Sequence, residues 1–290
     1  MGQLFQTIFY DGMILCTRRG AKRLLACMVL AAMVIPISAR SYVLMGEHVL
    51  DRMVKALGKA ESLEVNQVLT IHAPSPAPTS DLQETVWIRF PYDVRADAIG
   101  EGYERHLIFS GGAALMAVNG VLQDGPPPGY LRYQDILMAK PRQALTDYLR
   151  MLGVDVQISS LGRLEDQYCY VVGARYPDDA VAQLWVAKDT FLPFRLILPA
   201  STMPSGTGSL EIRYRNWTFV DGIAYPMHIM MLQDHQVMQE VRVDRVQANP
   251  TLTDDLFDIA SMRRQWSRPV LPRTDNGDPV LPEDEPPASE

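Results

Sequence analysis

The chain carries five histidines, His48, His72, His106, His228 and His235, and their spacing decides whether they could hold a metal. None falls in HExxH or HxH, the spacings that bring two imidazoles to one face. His228 lies in a late strand pattern and His235 just before the next, so they are the one pair that could meet as ligands. Asp254, Asp255 and Asp258 gather three carboxylates, which suit a solvated turn and cap better than acid–base work. Asp275-Asn276-Gly277-Asp278 lacks the twelve-residue ligand spacing of a calcium loop. The sequence contains no GxSxG elbow, no P-loop and no GxGxxG. Cys169 sits in the apolar run Tyr168-Cys169-Tyr170-Val171-Val172 and reads as a small buried hydrophobe, not a nucleophile. These residues predict neither an enzyme nor a metal or cofactor site, and leave non-covalent binding as the chemistry to look for.

The elements that would position a binding site are strands. From Ala182 to Ile259 the chain reads as a meander. Leu184-Trp185-Val186 leads through Lys188-Asp189 to a strand opening at Pro193, and Leu210, Ile212 and Tyr214 alternate with Glu211, Arg213 and Arg215. Period-two alternation puts aliphatics on a dry face and charge on a wet one. Asp221-Gly222 is a hairpin turn with a strand on either side. Pro193 and Pro226 fit strand starts, where a missing N–H costs least. The last long strand is Gln236 to Asn249, and Leu256-Phe257 then docks on the sheet. Upstream, Leu63, Val65, Leu69 and Ile71 form one strand and Val86, Ile88 and Phe90 its return. Phe90-Pro91-Tyr92 opens another through Val94, Ala96 and Ala98. A hairpin runs from Tyr103 to Val118 across Gly111-Gly112, and Val154 to Ser160 and Leu164 to Arg175 return to strands. Proline-rich loops cover 73–78 and 123–129.

Two helices interrupt this pattern. Tyr42, Met45, Val49, Leu50, Met53, Val54 and Leu57 share one face, and Gly58 stops them. Pro141 opens the second, whose stripe of Ala144, Leu145, Tyr148, Leu149 and Leu152 ends at Gly153. Just before it, Ile136-Leu137-Met138 is apolar throughout. A brief apolar helix inserted in a sheet protein is either a plug over a cavity or an ordinary cap on a sheet edge.

Arg18, Arg19, Lys22 and Arg23 precede the apolar run Leu24–Ile37, and Ile37-Ser38-Ala39 offers a cleavage site. Residues 1–39 thus read as a secretory signal peptide, with an uncleaved anchor the alternative. Residues 40–262 read as one domain, and residues 263–290 as a Pro-rich, acidic, disordered tail. Without the leader, 23 basic and 33 acidic residues remain, a net of −10. An acidic chain with no Lys/Arg cluster is no nucleic-acid binder. Cys169 is then the lone cysteine, so no intramolecular disulfide is available. Fifteen methionines, among them Met227, Met230, Met231 and Met238, suit either an adaptable apolar surface or gap filling in a core.

Several of these features together resemble the LolA/LolB-like superfamily of periplasmic outer-membrane lipoprotein carriers and sorting proteins. They are the leader, the helix before Leu63–Ile71, and the strands around Phe90-Pro91. The Trp185…Lys188-Asp189…Leu192-Pro193 hairpin, Trp217…Asp221-Gly222…Tyr225-Pro226 and a closing Leu256-Phe257 complete the set. The resemblance covers most of residues 41–260. It implies a mainly β fold with some α, a strongly curved antiparallel sheet forming an unclosed half-barrel around a few helices. Between them lies an apolar cavity for acyl chains. The arginine that carriers use near the cavity mouth would fall near Arg89 or Arg95. Long Pro-rich loops and the tail depart from the carrier pattern.

On this basis the side chains expected to line the cavity are Val86, Ile88, Phe90, Phe194, Leu196, Ile212, Tyr214, Met227, Ile229 and Met231, with Val49, Met53 and Leu145 from the helices. The expected function is that of an exported, periplasmic, non-catalytic protein that binds a lipid or an acylated lipoprotein. It would transfer or present that cargo between an inner-membrane export complex and an outer-membrane acceptor. The alternative is an RseB-like envelope sensor module that binds a protein partner; a hydrolase acting on lipid or cell wall is a weaker third.

Overall fold

A computed structural model describes residues 43–72, 80–125, 127, 133–203 and 208–266. The leader, the 73–78 loop, part of the 123–129 loop and the tail from residue 267 lie outside the described residues.

The alternating segments form thirteen antiparallel strands in a single sheet. They are β1 (Ser62–Ile71), β2 (Ser80–Arg89), β3 (Asp93–Gly100), β4 (Tyr103–Ser110), β5 (Ala113–Val118), β6 (Val121–Leu122), β7 (Ser159–Leu164), β8 (Gln167–Val172), β9 (Gln183–Ala187), β10 (Pro193–Leu198), β11 (Leu210–Val220), β12 (Ile223–Gln233) and β13 (Gln236–Ala248). The spatial order is β6-β5-β4-β3-β2-β1-β13-β12-β11-β10-β9-β8-β7. Every neighbour is a sequence neighbour except β1 and β13, which join the two arms. Since β6 and β7 do not pair, the sheet is an open half-barrel.

Helices α1 (Gly46–Ala56), α2 (Asp135–Met138) and α3 (Arg142–Met151) share one apolar core with the sheet. Val49, Leu50 and Met53 of α1, Ile136 of α2, and Leu145 and Leu149 of α3 pack with inward residues of both arms. A flat sheet could not bring Leu107 of β4 and Leu184 of β9 into one cluster; the concavity does. Gly58, at φ +74°, ends α1 where any Cβ would lie 1.9 Å from the Gly222 carbonyl, so only glycine fits there.

The convex face carries its own small core of Cys169, Val171, Ala174 and Trp185. Burial pushes the Cys169 thiol up to about 12, which keeps it protonated and inert. Over the other arm, Phe257 is buried beneath the Arg89 guanidinium, 4.6 Å from ring centroid to carbon. Helix α4 (Ile259–Trp266) follows, capped by Asp258, whose Oδ1 accepts from the Ser261 N–H at 2.9 Å. It runs through Trp266, past residue 262.

Several local expectations are corrected. Phe90-Pro91-Tyr92 is a turn and β3 starts at Asp93; residues 154–158 are irregular, with a turn at 156–157, and β7 starts only at Ser159. Met45 caps α1 and is exposed. Pro226 lies inside β12, beyond the last rung shared with β13, where only β11 is paired, so its missing N–H breaks no ladder there.

Candidate ligand-binding site

The concave face should be uniformly apolar by strand alternation, yet several of its positions are polar. Gln67 on β1, Glu84 on β2 and Arg105 on β4 are 1%, 4% and 5% exposed. Their registers place them in one transverse row, Gln67 opposite Glu84, Glu84 opposite Ala98, and Ala98 opposite Arg105. Ala98 is small enough for Arg105 to reach across it, and Nη2 donates to Glu84 Oε1 at 2.6 Å. Gln67 Nε2 donates to the other Glu84 oxygen. A β-bulge opposite, at Asp244 of β13, shifts the register beside Gln67. Arg105 thus compensates a carboxylate that burial alone would make costly.

Over this row lies the short helix α2 and the residues flanking it. Tyr133, Ile136, Leu137 and Met138 are all buried. Tyr133 ties both arms together: its hydroxyl accepts from Gln67 Nε2 at 2.6 Å, and its carbonyl accepts from the Tyr214 hydroxyl at 2.7 Å. Burial and the nearby Glu84 charge hold the Tyr133 phenol well above its usual range, so it stays protonated. At the other end Lys140 Nζ donates to the Gly58 carbonyl at 2.6 Å and lies 5.1 Å from the Phe90 ring centroid. The segment is therefore a plug in the concavity; α3 is the helix that stands beside it.

Beneath the plug remains an apolar void of only about 10 Å³, bordered by Leu57, Leu63, Ile88, Phe90 and Met138 among others. That is room for one water at most. Beside the plug lies an open cleft of about 1230 Å³, between β3–β5 and α3. Pro91, Val94, Phe109, Met138 and Ala144 give it apolar walls, and Tyr92, Asp93, Gln143 and Asp147 polar ones.

The chain is similar to several solved structures. A LolA superfamily protein from Nitrosomonas europaea is 14% identical over 76% of this chain and 100% of its own, with a TM-score of 0.43. A domain from Vibrio parahaemolyticus assigned as an outer-membrane lipoprotein-sorting protein is 9% identical over 76% of this chain and 98% of its own, at 0.46. The MucA/MucB complex of Pseudomonas aeruginosa gives 11% identity over 75% of this chain and 62% of the matched one, at 0.27. These are likenesses of layout between distant sequences. No family model matches the chain, and no curated protein matches it.

Of the thirteen expected cavity residues, Val86, Ile88, Leu196, Ile212, Tyr214, Ile229, Met231, Val49, Met53 and Leu145 all lie in the concave core, and Phe90 and Met227 pack against it. They are brought together, but they touch protein: only Ile88 and Phe90 border the void, and none of the thirteen lines the cleft. Phe194 is elsewhere. It is the extra residue of a bulge between Pro193 and Arg195, and a one-residue slip turns a side chain to the opposite face. It packs on the convex core with the Arg215 guanidinium 3.7 Å from its ring centroid. Arg89 and Arg95 also face outward, bonded to Asp93 and Asp254, and to Asp97. Arg105, by contrast, faces inward. His228 pairs with Glu240 at 2.7 Å while His235 sits in the following turn, so the two do not combine. Among the described residues no three His, Cys, Asp or Glu side chains form a metal site.

The polar row escaped a reading by single strands, although the signal is there. Gln67 interrupts Leu63, Val65, Leu69 and Ile71, and Glu84 interrupts the stripe of Leu82, Val86 and Ile88.

Lys140 gives the plug a pH dependence. Burial with no carboxylate beside it pulls its pKa from 10.5 down to about 8. Between these values the unfolded chain binds more protons than the folded one, so stability rises with pH across that window. Below it the buried charge is a standing cost. Lys140→Met is expected to be more stable than the parent at neutral pH by on the order of 1–2 kcal/mol, allowing for partial exposure. That advantage should shrink from about pH 8 to 10 in thermal melts. A difference that does not vary with pH would show that Lys140 is not the group responsible.

Proposed function

We propose that the chain is an exported envelope protein that binds a lipid, or the acyl chains of a lipoprotein, and carries or presents them without covalent chemistry. The observation that carries this reading is the plug. A four-residue helix supplies Ile136, Leu137 and Met138 to the concave core and stands between that core and a cleft open to solvent. An acyl chain offers the same kind of surface, with about 0.8 kcal/mol for each methylene buried. Some three apolar side chains and three hydrogen bonds are thus replaceable by a ligand of ordinary length. Lifting the plug would join the void beside Phe90 to the cleft, which alone exceeds the roughly 300–1,000 Å³ of common small-molecule sites. The polar partners of such a carrier would be an inner-membrane export complex that loads it and an outer-membrane acceptor that unloads it.

Native mass spectrometry of the chain purified from a bacterial envelope, before and after organic extraction, tests the reading. A co-purifying lipid or lipopeptide, diminished by Ile229→Asp in a variant that remains folded, is the expected result. A mass that stays bare after incubation with phospholipid and with acylated peptide would overturn it and leave an envelope module that binds protein.

A further inference from the structure

On the concave face several buried polar atoms have no hydrogen-bond partner among the described residues: Gln239 Oε1, farther along β13, and Gln67 Oε1, Arg105 Nε and Tyr225 Oη, which lie by the plug. Gln67, Arg105 and Tyr225 are 1%, 5% and 1% exposed, so bulk water does not serve them. Each orphan in such surroundings has lost its water without gaining a partner, which is unfavourable. Two of the three residues belong to the row built on Glu84, and Tyr225 packs in the same core and borders the void under the plug. The set is mixed, with one acceptor, one donor and one hydroxyl able to act as either. A fourth group, Gln67 Nε2, is satisfied in part by the Tyr133 hydroxyl, which the plug itself brings in. When the plug lifts, whatever replaces it must answer these same groups.

Resting on the lipid-binding reading above, we infer that the concavity selects an amphiphile with an uncharged group that donates and accepts hydrogen bonds beside its chain, namely an acyl amide. The Arg105–Glu84 pair is internally neutral. A carboxylate or phosphate would therefore meet Glu84 with the arginine already engaged, and an ammonium would meet Arg105. A bare hydrocarbon would leave every orphan in place and remove the Tyr133 bond as well. An ester carbonyl accepts from Arg105 Nε or Tyr225 but offers nothing to Gln67 Oε1. An amide has an N–H for the glutamine oxygen and a carbonyl for the two donors. The Tyr133 hydroxyl is the plug's own uncharged stand-in for that group.

The test is competitive binding of hexadecanamide, methyl hexadecanoate and hexadecanoate to the full chain, with complexes counted by native mass spectrometry. The amide is expected to bind about tenfold more tightly than the carboxylate, with the ester between them, since one net hydrogen bond amounts to roughly that factor. Tyr225→Phe, which deletes an unpaired hydroxyl and should fold at least as well as the parent, is expected to narrow the preference for amide over carboxylate several-fold. Tyr133→Phe weakens the plug's hold on Gln67 and should strengthen amide binding. Equal affinities for all three probes would overturn amide selection and leave lipid binding standing. Binding of none would overturn both. A preference untouched by Tyr225→Phe and Tyr133→Phe alike would place selection elsewhere and overturn this site.

Discussion

Glu84→Leu is expected to destabilise the protein by about 3–5 kcal/mol, a large part of the stability a domain has. The leucine itself suits the concave face, where Leu82, Val86 and Ile88 already lie. What is lost is the partner of Arg105, whose side chain is 6% exposed and would be left as an uncompensated buried cation. Gln67 would lose an acceptor at the same time. Arg105→Met should cost nearly as much, because it strands the carboxylate. The double variant Glu84→Leu/Arg105→Met should recover most of the loss, since an apolar pair of similar volume often replaces a buried ion pair at little cost. Urea unfolding of the four proteins closes the cycle. Additive losses would mean that the two side chains do not act as a pair.

The second large effect is expected at the plug. Ile136 is 1% exposed, and Ile136→Asp puts a carboxylate among apolar side chains at a cost of several kcal/mol. The plug is held by few contacts, so the expected response is local: residues 133–140 lose hydrogen-exchange protection while the strands keep theirs. A ligand that needs the plug lifted binds in proportion to the fraction of molecules already open. Its apparent affinity should therefore rise, by tenfold or more if the closed state dominates the parent. Loss of protection throughout the sheet, with weaker ligand binding, would mean instead that α2 is an ordinary part of the core.

The strands were legible because each needs only its own alternation and the turn residues at its ends. Asp221-Gly222 and Pro193 did what their φ preferences dictate, and β13 ends within a residue of its expected limit. The concave face was legible for the same reason, and twelve of thirteen expected residues reach it. Phe194 failed because a bulge is invisible to a period-two count: one extra residue reverses the face, and nothing in Pro193-Phe194-Arg195 marks it. The row of Gln67, Glu84 and Arg105 failed for another reason. Its meaning depends on the register of four strands, which no one strand contains. Whether the concavity is open or filled was equally out of reach, because Ile136-Leu137-Met138 reads the same as a cap or as a plug until its neighbours are known.

The topology also separates local pairings from one long-range pairing. Each arm of the sheet is a ladder of hairpins whose contacts are short in sequence, so each can form as soon as its own strands exist. The pairing of Leu63 with Ala248 and its fellow rungs is different, since it spans almost the entire domain. Until β13 is made, β1 presents an unpaired edge of ten residues, several of them aliphatic, which is a hazard for aggregation. The seam between β1 and β13 is thus the long-range pairing that joins the two arms of the sheet. Chain that emerges without its last strand leaves that edge open until synthesis is complete.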